Sequence, residues 1–420
     1  MLLMSSWFFL VISIFWILKP LKKGLFIEFY DAGGLTLLGW HLRAAELELL
    51  AKILNMFVAL VAVVVFTRLA RRWRRERLTT VIAGFFGVAF AGYALVLSEP
   101  RAPVVWSFYL LGDLFSTLMV ATFFASLSDS VTAEASQRLY GPIGVGGVLG
   151  GVVGSSLLGA LVQDVERTHW MWLCIGLVLV VVAIAWLAAR VRRSLPSACD
   201  SDHGPPEPAK PPGAALDGAL LTLRSPYLLS IVAIVGLYEL VSTIMDFQFT
   251  SSVAQALDAE AIGIHLSRVF AFTNVVSMLV QLLLTGFVMQ RFGVGVALLV
   301  LPVMALLSSA TFLVLPGLWT GSLLNTADNA FSYSINQSAK EALYVPTSAR
   351  EKYAAKAFID MFVQRFAKAL AVGLSLGLST WFEDATAVRG LSIVTVGLVG
   401  VWLLAVRHAA RGYAARRGSG

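Results

Sequence analysis

Basic side chains stand within apolar stretches of this 420-residue chain, where a charge is costly. The first such group is WILKPLKKGLF, which holds Lys19, Lys22 and Lys23. Lys19 and Lys22 are three residues apart and share one face of a helix, whereas Lys23 points about 100° further round. The lysines either extend to the polar boundary of the apolar layer as anchors or face a cavity and bind an anion.

A second group of basic residues lies in KEALYVPTSAREKYAAKAFIDMFVQRFAKAL, residues 340–370. Lys356 and Asp360 are four residues apart and could pair on one helix face. Arg365 and Lys368 lie deeper in the stretch and have no obvious acid nearby in the sequence. A basic loop would explain the start of the stretch but not these deeper residues. Because Lys and Arg are the usual ligands of phosphate, the pattern favours an anionic, above all phosphorylated, substrate.

Acidic and amide side chains occur in other apolar stretches. Asp113 stands in YLLGDLFSTLMV, Glu239 in GLYELV and Asp246 in STIMDFQF. Asn329 follows Asp328 in a stretch rich in amides, NTADNAFSYSINQ. Such groups could couple the movement of a solute to an ion or pair with the lysines. The alternative is a structural salt bridge or a hydrogen bond between helices.

No set of residues forms a pattern for catalysis or metal binding. The histidines are scattered, and Cys174 and Cys199 make neither a disulfide framework nor a metal site. The run GPIGVGGVLGGVVGSSLLG (141–159) lacks both a G-x-G-x-x-G turn after a strand and the Gly-Lys-Ser of a Walker loop. Its glycines at 146, 150 and 154 instead predict a smooth helix face for close packing. The sequence therefore predicts no enzyme, no metal and no cofactor.

The composition indicates which elements must position these residues. The chain is 58% hydrophobic and 14% charged, with a mean hydropathy of +0.79, whereas soluble proteins carry about 25% charged residues. Its apolar residues come in blocks of roughly 20, the length of a helix that crosses about 30 Å of hydrocarbon. Backbone groups in lipid need internal partners, so the blocks should be helices. The predicted segments are 2–27, 46–67, 79–98, 104–128, 140–163, 169–190, 225–249, 264–288, 293–314, 317–338, 355–381 and 388–407.

Loops rich in arginine alternate with loops that are poor in basic residues. The strongest is RLARRWRRER (68–77), whereas SEPRAP, QDVERTH and ALDAEAIG hold few. Because basic loops stay in the cytoplasm, every even-numbered loop and both termini are predicted to be cytoplasmic. The same placement assigns the net charge of +7 to topology and not to nucleic-acid binding. The lysines of the first segment then lie toward the far side, where basic residues are scarce, which favours function over anchoring.

A stretch rich in Pro, Ser and Asp, SLPSACDSDHGPPEPAKPPGAALD, divides the segments six and six. Such a composition buries too little apolar surface to fold and predicts a flexible cytoplasmic linker. Two related halves with a site near the midplane are typical of secondary transporters. The sequence thus predicts an all-α membrane protein with about twelve transmembrane helices in two six-helix bundles. The predicted divisions are a first bundle (1–193), the linker (194–224), a second bundle (225–407) and a cytoplasmic tail (408–420).

Three stretches resemble the bacterial and plastid nucleotide (ATP/ADP) translocase family, a branch of the major facilitator architecture. They are ILKPLKKGLF (17–26), the region DLFS to GVGGVLGG (113–151) and, most specific, KEALYVPTSAREKYAAKAFID (340–360). The resemblance implies a major facilitator-like fold and exchange of nucleotides such as ATP for ADP. It also implies a bacterial inner membrane as the location, with the lipid bilayer and a small anionic substrate as partners.

The resemblance assigns roles to single residues. Lys22 matches the functional lysine of the first helix, and Lys356 matches the lysine of the K-A-x-I-D segment. Asp113 stands where the family usually has a glutamate in the fourth helix, and either Glu239 or Asp246 corresponds to the acid of the seventh. This chain is shorter than the family, and VQRFAKALAVG replaces a Gly-rich stretch. The substrate could therefore be another phosphorylated or anionic solute.

The sequence predicts a secondary transporter that exchanges nucleotides or related phosphorylated anions by alternating access. Two alternatives stay open, which are a proton-coupled major facilitator exporter of another solute or drug and a membrane protein that transports nothing. No nucleic acid and no protein partner is implied. The predicted substrate-binding residues are Lys19, Lys22, Lys23, Asp113, Glu239, Asp246, Asn329, Lys356, Asp360 and Arg365.

Overall fold

Long helices make up the computed structural model of this chain, because in lipid only a helix satisfies its own backbone polar groups. This confirms the predicted all-α class. The structure describes residues 2–31, 33–37, 39–128, 133–194, 221–347, 356, 358–381 and 385–418. Its main helices are α1 (Leu2–Asp31), α2 (Ala44–Arg72), α3 (Arg75–Val96), α4 (Ala102–Ser128), α5 (Ala133–Leu161), α6 (Arg167–Ser194), α7 (Pro226–Ala256), α8 (Ala259–Leu279), α9 (Gly293–Val314), α10 (Leu318–Phe331), α11 (Gln364–Trp381) and α12 (Ala385–Gly418).

Short segments extend or connect these helices. π-Helical turns follow α8 (Val280–Thr285) and α10 (Ser332–Asn336) and precede α11 (Ile359–Val363). The first two lead into short α-helices, Gly286–Arg291 and Gln337–Ala342. Such turns are rare in proteins and often mark functional sites. One of the three borders α10, which carries Asn329, and another borders α11, which carries Arg365.

A β-hairpin after α1 was not predicted. Its strands, Leu35–Leu37 and Trp40–Leu42, pair antiparallel. Gly39 stands in the turn with φ of 86°, a left-handed conformation that glycine adopts at no steric cost. Each strand has three residues, so a pattern of apolar alternation is too short to be recognised.

Among the described residues, ten helices are long and apolar enough to cross a bilayer. The two main helices that fall short are α10 and α11. α10 has 14 residues and includes Asp328 among amides, and α11 has 18 residues and carries Arg365 and Lys368. These polar residues lower the hydropathy of both helices. That α10 and α11 also cross, as a count of twelve requires, stays a prediction.

The first of two compact units comprises Met1–His203 and Leu257–Asn274. α1 lies at its centre and packs against α2, α4, α5 and α6. α3 packs against α4 and α6. Residues 257–274, which the sequence analysis assigned to the second bundle, therefore group with the first unit.

The contact between α1 and α5 depends on glycine. A Cβ atom at Gly146, Gly150 or Gly154 would collide with a backbone carbonyl of α1. The predicted smooth face for close helix packing is therefore confirmed. The α1 residues in contact are Ser5, Phe9 and Ser13.

The second unit comprises Gly204–Ala256 and Val275–Gly420. Its central helix, α7, packs against α10, α11 and α12, and α9 packs against α10 and α12. Most of the predicted linker, residues 195–220, lies outside the described residues. The predicted tail is helical as far as Gly418, because its RHAARGYAARR sequence is rich in the good helix formers Ala and Arg.

Candidate substrate-binding site

Lys22, the predicted functional lysine of α1, is buried in the first unit. Its side chain is 5% exposed, and its ammonium group forms an ion pair with Asp113 of α4. The second carboxylate oxygen of Asp113 accepts a hydrogen bond of 2.8 Å from Asn55 Nδ2 on α2. Lys22 Nζ also lies 4.4 Å from the ring centroid of Tyr109, a cation–π contact. Side chains from three helices therefore fix the Lys22–Asp113 pair.

The Lys22–Asp113 pair joins the last third of α1 to the middle of α4. At 1.5 Å per residue, Lys22 is about 14 Å from the end of α1, and Asp113 is about 16 Å from the start of α4. Both residues are therefore more than two turns from either end of their helices. Gly112 permits the approach of the lysine, since a Cβ atom there would lie 2.7 Å from Lys22 Cδ.

Lys23 points to a different helix, as its position one residue after Lys22 predicted. Its Nζ lies 3.3 Å from Glu48 Oε1 on α2. Glu48 is 1% exposed, and the same oxygen accepts a hydrogen bond of 2.9 Å from the Tyr109 hydroxyl. Glu48 Oε2 lies 3.3 Å from Nζ of Lys52, one turn further along α2. One buried carboxylate is thus shared by two lysines and a phenol.

Lys19 is placed between aromatic rings. Its Nζ is 4.5 Å from the ring centroid of Trp16 and 5.0 Å from that of Phe270 on α8. Both rings are buried. The three predicted lysines of α1 therefore contact the interior of the first unit, which argues against a role as interfacial anchors.

We call Lys22, Lys23, Lys52, Glu48 and Asp113 the α1 lysine cluster. It contains three lysines and two carboxylates, a formal charge of +1. A buried lysine without compensation is strongly destabilising, so the acids make the cluster possible. The net positive charge of the cluster, to which nearby Lys19 adds, favours the binding of an anion.

The second unit brings acids of α7 and α10 together with Lys368 of α11. Glu239, which is 8% exposed, lies 3.4 Å from Lys368 Nζ. This lysine, for which no acid was found nearby in the sequence, therefore has one on α7. Asp328 of α10 is also buried, and it accepts a hydrogen bond of 2.6 Å from Ser242 Oγ of α7.

Asp246 and Tyr333 complete this group. The Tyr333 side chain, in the π-helical turn after α10, is near enough to Asp246, Glu239 and Asp328 to interact with them electrostatically. The ammonium group of Lys368 is also near enough to the Tyr333 side chain to interact with it electrostatically. We call Glu239, Asp246, Asp328 and Lys368 the acidic cluster, whose formal charge is −2.

Asn329 and Arg365 are two further predicted residues of the second unit. Asn329 donates to the carbonyl oxygen of Asn325 at 2.9 Å and to its side-chain oxygen at 3.0 Å, within α10. Arg365 is half-buried on α11, one turn before Lys368. Neither the positions nor the contacts of these two residues identify a ligand.

Lys356 forms a bidentate ion pair with Glu341, at 2.7 Å from each oxygen. It also lies 5.8 Å from the ring centroid of Tyr344. The pairing with Asp360 that the sequence suggested cannot be assessed in the same way, because the Asp360 side chain lies outside the described residues. Lys356 therefore has its carboxylate partner 15 residues earlier in the chain.

Sequence reasoning missed the residues of α2 and the tyrosine of α4. A signal was present, because Glu48, Lys52 and Asn55 in ELELLAKILN are spaced i, i+4 and i+7 on one helix face. Tyr109 likewise precedes Asp113 by one turn. The α2 residues stand at the start of a predicted segment, where charged residues are common. For this reason they were not predicted to be part of a site.

Two family models match this chain. The model of the Major Facilitator Superfamily matches residues 1–350. A model described as TLC ATP/ADP transporter matches residues 313–413, which include α10, Lys356 and α11.

In the described residues, no group of three or more His, Cys, Asp or Glu side chains is arranged to hold a metal ion.

Relatives with curated names are carriers. ADP,ATP carrier protein 2 of Chlamydia pneumoniae is 24% identical over 365 residues, 74% of this chain and 67% of the relative. That of Chlamydia trachomatis serovar D is 23% identical over 358 residues, 74% of this chain and 66% of the relative. The chloroplastic ADP,ATP carrier protein 2 of Arabidopsis thaliana is 20% identical over 340 residues, 72% and 54%. The chain thus spans about two thirds of the Chlamydia carriers and about half of the plant one.

Solved structures share the architecture. The crystal structure of the nucleoside transporter NupG aligns with a TM-score of 0.61 at 12% identity, covering 99% of each chain. A POT family transporter in complex with 5-aminolevulinic acid aligns with a TM-score of 0.62 at 12% identity, covering 95% of each. At this identity the likeness shows the fold alone.

Proposed function

The chain belongs to the Major Facilitator Superfamily, and on that premise we propose that it exchanges nucleotides or related phosphorylated anions by alternating access. We place it in the inner membrane of a bacterium, with both termini in the cytoplasm. The observation that carries the proposal is the α1 lysine cluster, a largely buried group with a net positive charge in the interior of the first unit. The match to ATP/ADP transporters and the relatedness to ADP,ATP carriers support a nucleotide.

The chemistry of the cluster suits a phosphate group. A phosphate ester carries about 1.5 to 2 negative charges at neutral pH and offers three acceptor oxygens. It can therefore replace the carboxylates of Asp113 and Glu48 as the partner of a lysine. Lys22, Lys356 and Arg365 are the basic residues that hold phosphate charge in this proposal. Asp113 and Asp246 orient the basic side chains and compensate them when no substrate is bound.

Exchange in proteoliposomes tests the proposal. Labelled ADP should enter vesicles that contain unlabelled ATP or ADP and should not enter empty ones. Lys22→Ala and Lys356→Ala should each reduce the exchange rate at least tenfold, since a hydrogen bond to a charged group contributes about 1.5 to 3 kcal/mol. Arg291→Ala, which removes a basic residue from the last turn of Gly286–Arg291, is the control and should leave it intact. Absence of exchange, or exchange that needs neither lysine, would contradict the proposal.

A proton-coupled exporter is the second candidate, and the acidic cluster favours it. Three carboxylates with one lysine provide groups that could take up and release a proton. This candidate predicts that a pH gradient drives transport into vesicles without internal nucleotide. It also predicts that Asp328→Asn in the acidic cluster, like Asp113→Asn, abolishes transport while Lys356→Ala does not.

A further inference from the structure

Glu48, Lys52 and Asn55 form one face of α2, and the proposed function so far uses none of them as substrate ligands. We propose that Lys52 is a further phosphate-binding residue and that Glu48 is the positioning residue that holds Lys52 and Lys23 for the substrate. This inference rests on the proposed function, because it assigns further roles at the same site.

The environment of Glu48 is unusual for a structural ion pair. Its side chain is 1% exposed and lies 3.3 Å from both Lys23 and Lys52. The Tyr109 hydroxyl donates a third contact, at 2.9 Å. One lysine would be enough to neutralise a buried carboxylate. Lys52 is a second lysine on the same carboxylate and can contribute a further positive charge to anion binding.

α2 also contacts both ion pairs that Lys22 and Lys23 of α1 make. Glu48 binds Lys23, and Asn55, two turns along the same face, binds the Asp113 that pairs with Lys22. A change in the position of α2 would therefore move the partners of Lys22 and Lys23 at the same time. This arrangement gives the helix a direct influence on the site.

Lys52 is the lysine best placed to exchange its partner. Its side chain is 25% exposed, whereas that of Lys23 is 5% exposed. The cluster has three lysines for two acids, and the more exposed Lys52 shares its carboxylate with Lys23. When Lys52 turns from Glu48 to a phosphate, Glu48 keeps Lys23 and the Tyr109 hydroxyl as partners. Lys52 can thus bind the substrate without leaving a buried carboxylate alone.

The preference between ATP and ADP tests these roles, because ATP carries one more negative charge. Lys52→Met should raise KM for ATP about tenfold and KM for ADP much less, the loss expected when a charge-assisted bond is removed. Glu48→Gln removes a competing negative charge and should shift the ratio of the two KM values toward ATP while kcat falls. Lys52→Arg keeps the charge and should keep the preference, even if the folded state is less stable.

Glu46→Gln is the matched control. Glu46 is two residues earlier on α2 and is 4% exposed, but it binds the backbone N–H of Arg43 at the start of the helix. Its replacement should lower the unfolding temperature and leave the ratio of KM values unchanged. If Glu48→Gln and Lys52→Met behave like this control, their role is structural and the inference is wrong.

Tripolyphosphate separates this inference from the proposed function. It should raise the unfolding temperature of the detergent-solubilised wild-type protein, and this increase should be smaller for Lys52→Met. A wild type that is stabilised by tripolyphosphate but exchanges no nucleotide would refute nucleotide exchange and leave the roles of α2 supported. Equal stabilisation of wild type and Lys52→Met would refute the binding role of Lys52.

Discussion

Removing either member of the Lys22–Asp113 pair should cost unequal amounts of stability. Loss of one partner of a buried ion pair typically costs about 3 to 5 kcal/mol, because the other charge stays uncompensated. Asp113→Asn leaves an ammonium group on a side chain that is 5% exposed, so we expect about 3 kcal/mol or more. Lys22→Met leaves a carboxylate that is 26% exposed and still accepts the hydrogen bond from Asn55. Its cost should be smaller, about 1 to 2 kcal/mol.

The double variant Lys22→Met/Asp113→Leu separates stability from function. Replacing a buried ion pair by apolar groups of similar volume is often neutral for stability. We therefore expect the double variant to unfold near the wild-type temperature in detergent. Exchange should remain impaired, because the lysine that we propose to bind phosphate is gone. Thermal unfolding by tryptophan fluorescence and exchange in proteoliposomes provide the two readouts.

Two results would refute this reasoning. Equal destabilisation by Asp113→Asn and Lys22→Met would mean that the lysine is not more deeply buried than its partner. Recovery of exchange in the double variant would mean that Lys22 acts only as the counter-ion of Asp113. In that case the phosphate-binding role would pass to other basic residues of the chain.

Two further predictions concern α5 and the Lys356–Glu341 pair. Gly150→Ala should destabilise the protein by about 1 to 3 kcal/mol, because the new Cβ atom collides with the Phe9 carbonyl. Gly144→Ala is the control, since a Cβ atom there meets open space, and it should be neutral or slightly stabilising. A thermal unfolding assay measures both. Lys356→Met should change stability by about 1 kcal/mol or less, since both partners are more than a third exposed, at 35% and 41%. The same variant should nevertheless lose nucleotide exchange, and a loss of stability without a loss of exchange would assign Lys356 a structural role.

The sequence was sufficient for features that depend on one helix at a time. Apolar blocks of about 20 residues predicted the long helices, and the spacing of Lys22 and Lys23 predicted that they point to different neighbours. The glycines at 146, 150 and 154 predicted a close helix contact, although not that α1 makes it. Each of these features follows from the geometry of a single helix and the cost of polar groups in lipid.

Partners on other helices could not be predicted in the same way. Lys368 had no acid nearby in the sequence, but the fold brings it to Glu239, more than a hundred residues earlier. The i, i+4 spacing suggested that Lys356 could pair with Asp360, and it gave no sign of the ion pair with Glu341 that the fold forms. Spacing identifies which residues share a face, and only the packing of helices decides which faces meet.

The ion pairs between helices nevertheless follow a physical rule that the sequence of one helix does not show. A lysine at mid-depth is too costly to remain uncompensated, so a carrier that needs cations for its substrate must also carry acids for its empty state. In the first unit these acids, Asp113 and Glu48, come from two helices other than the one that bears Lys22 and Lys23. A phosphate must then compete with a built-in carboxylate for each lysine. The strength of binding depends on the difference between two similar partners, and small changes at Asp113 or Glu48 should therefore alter substrate preference more than they alter the fold.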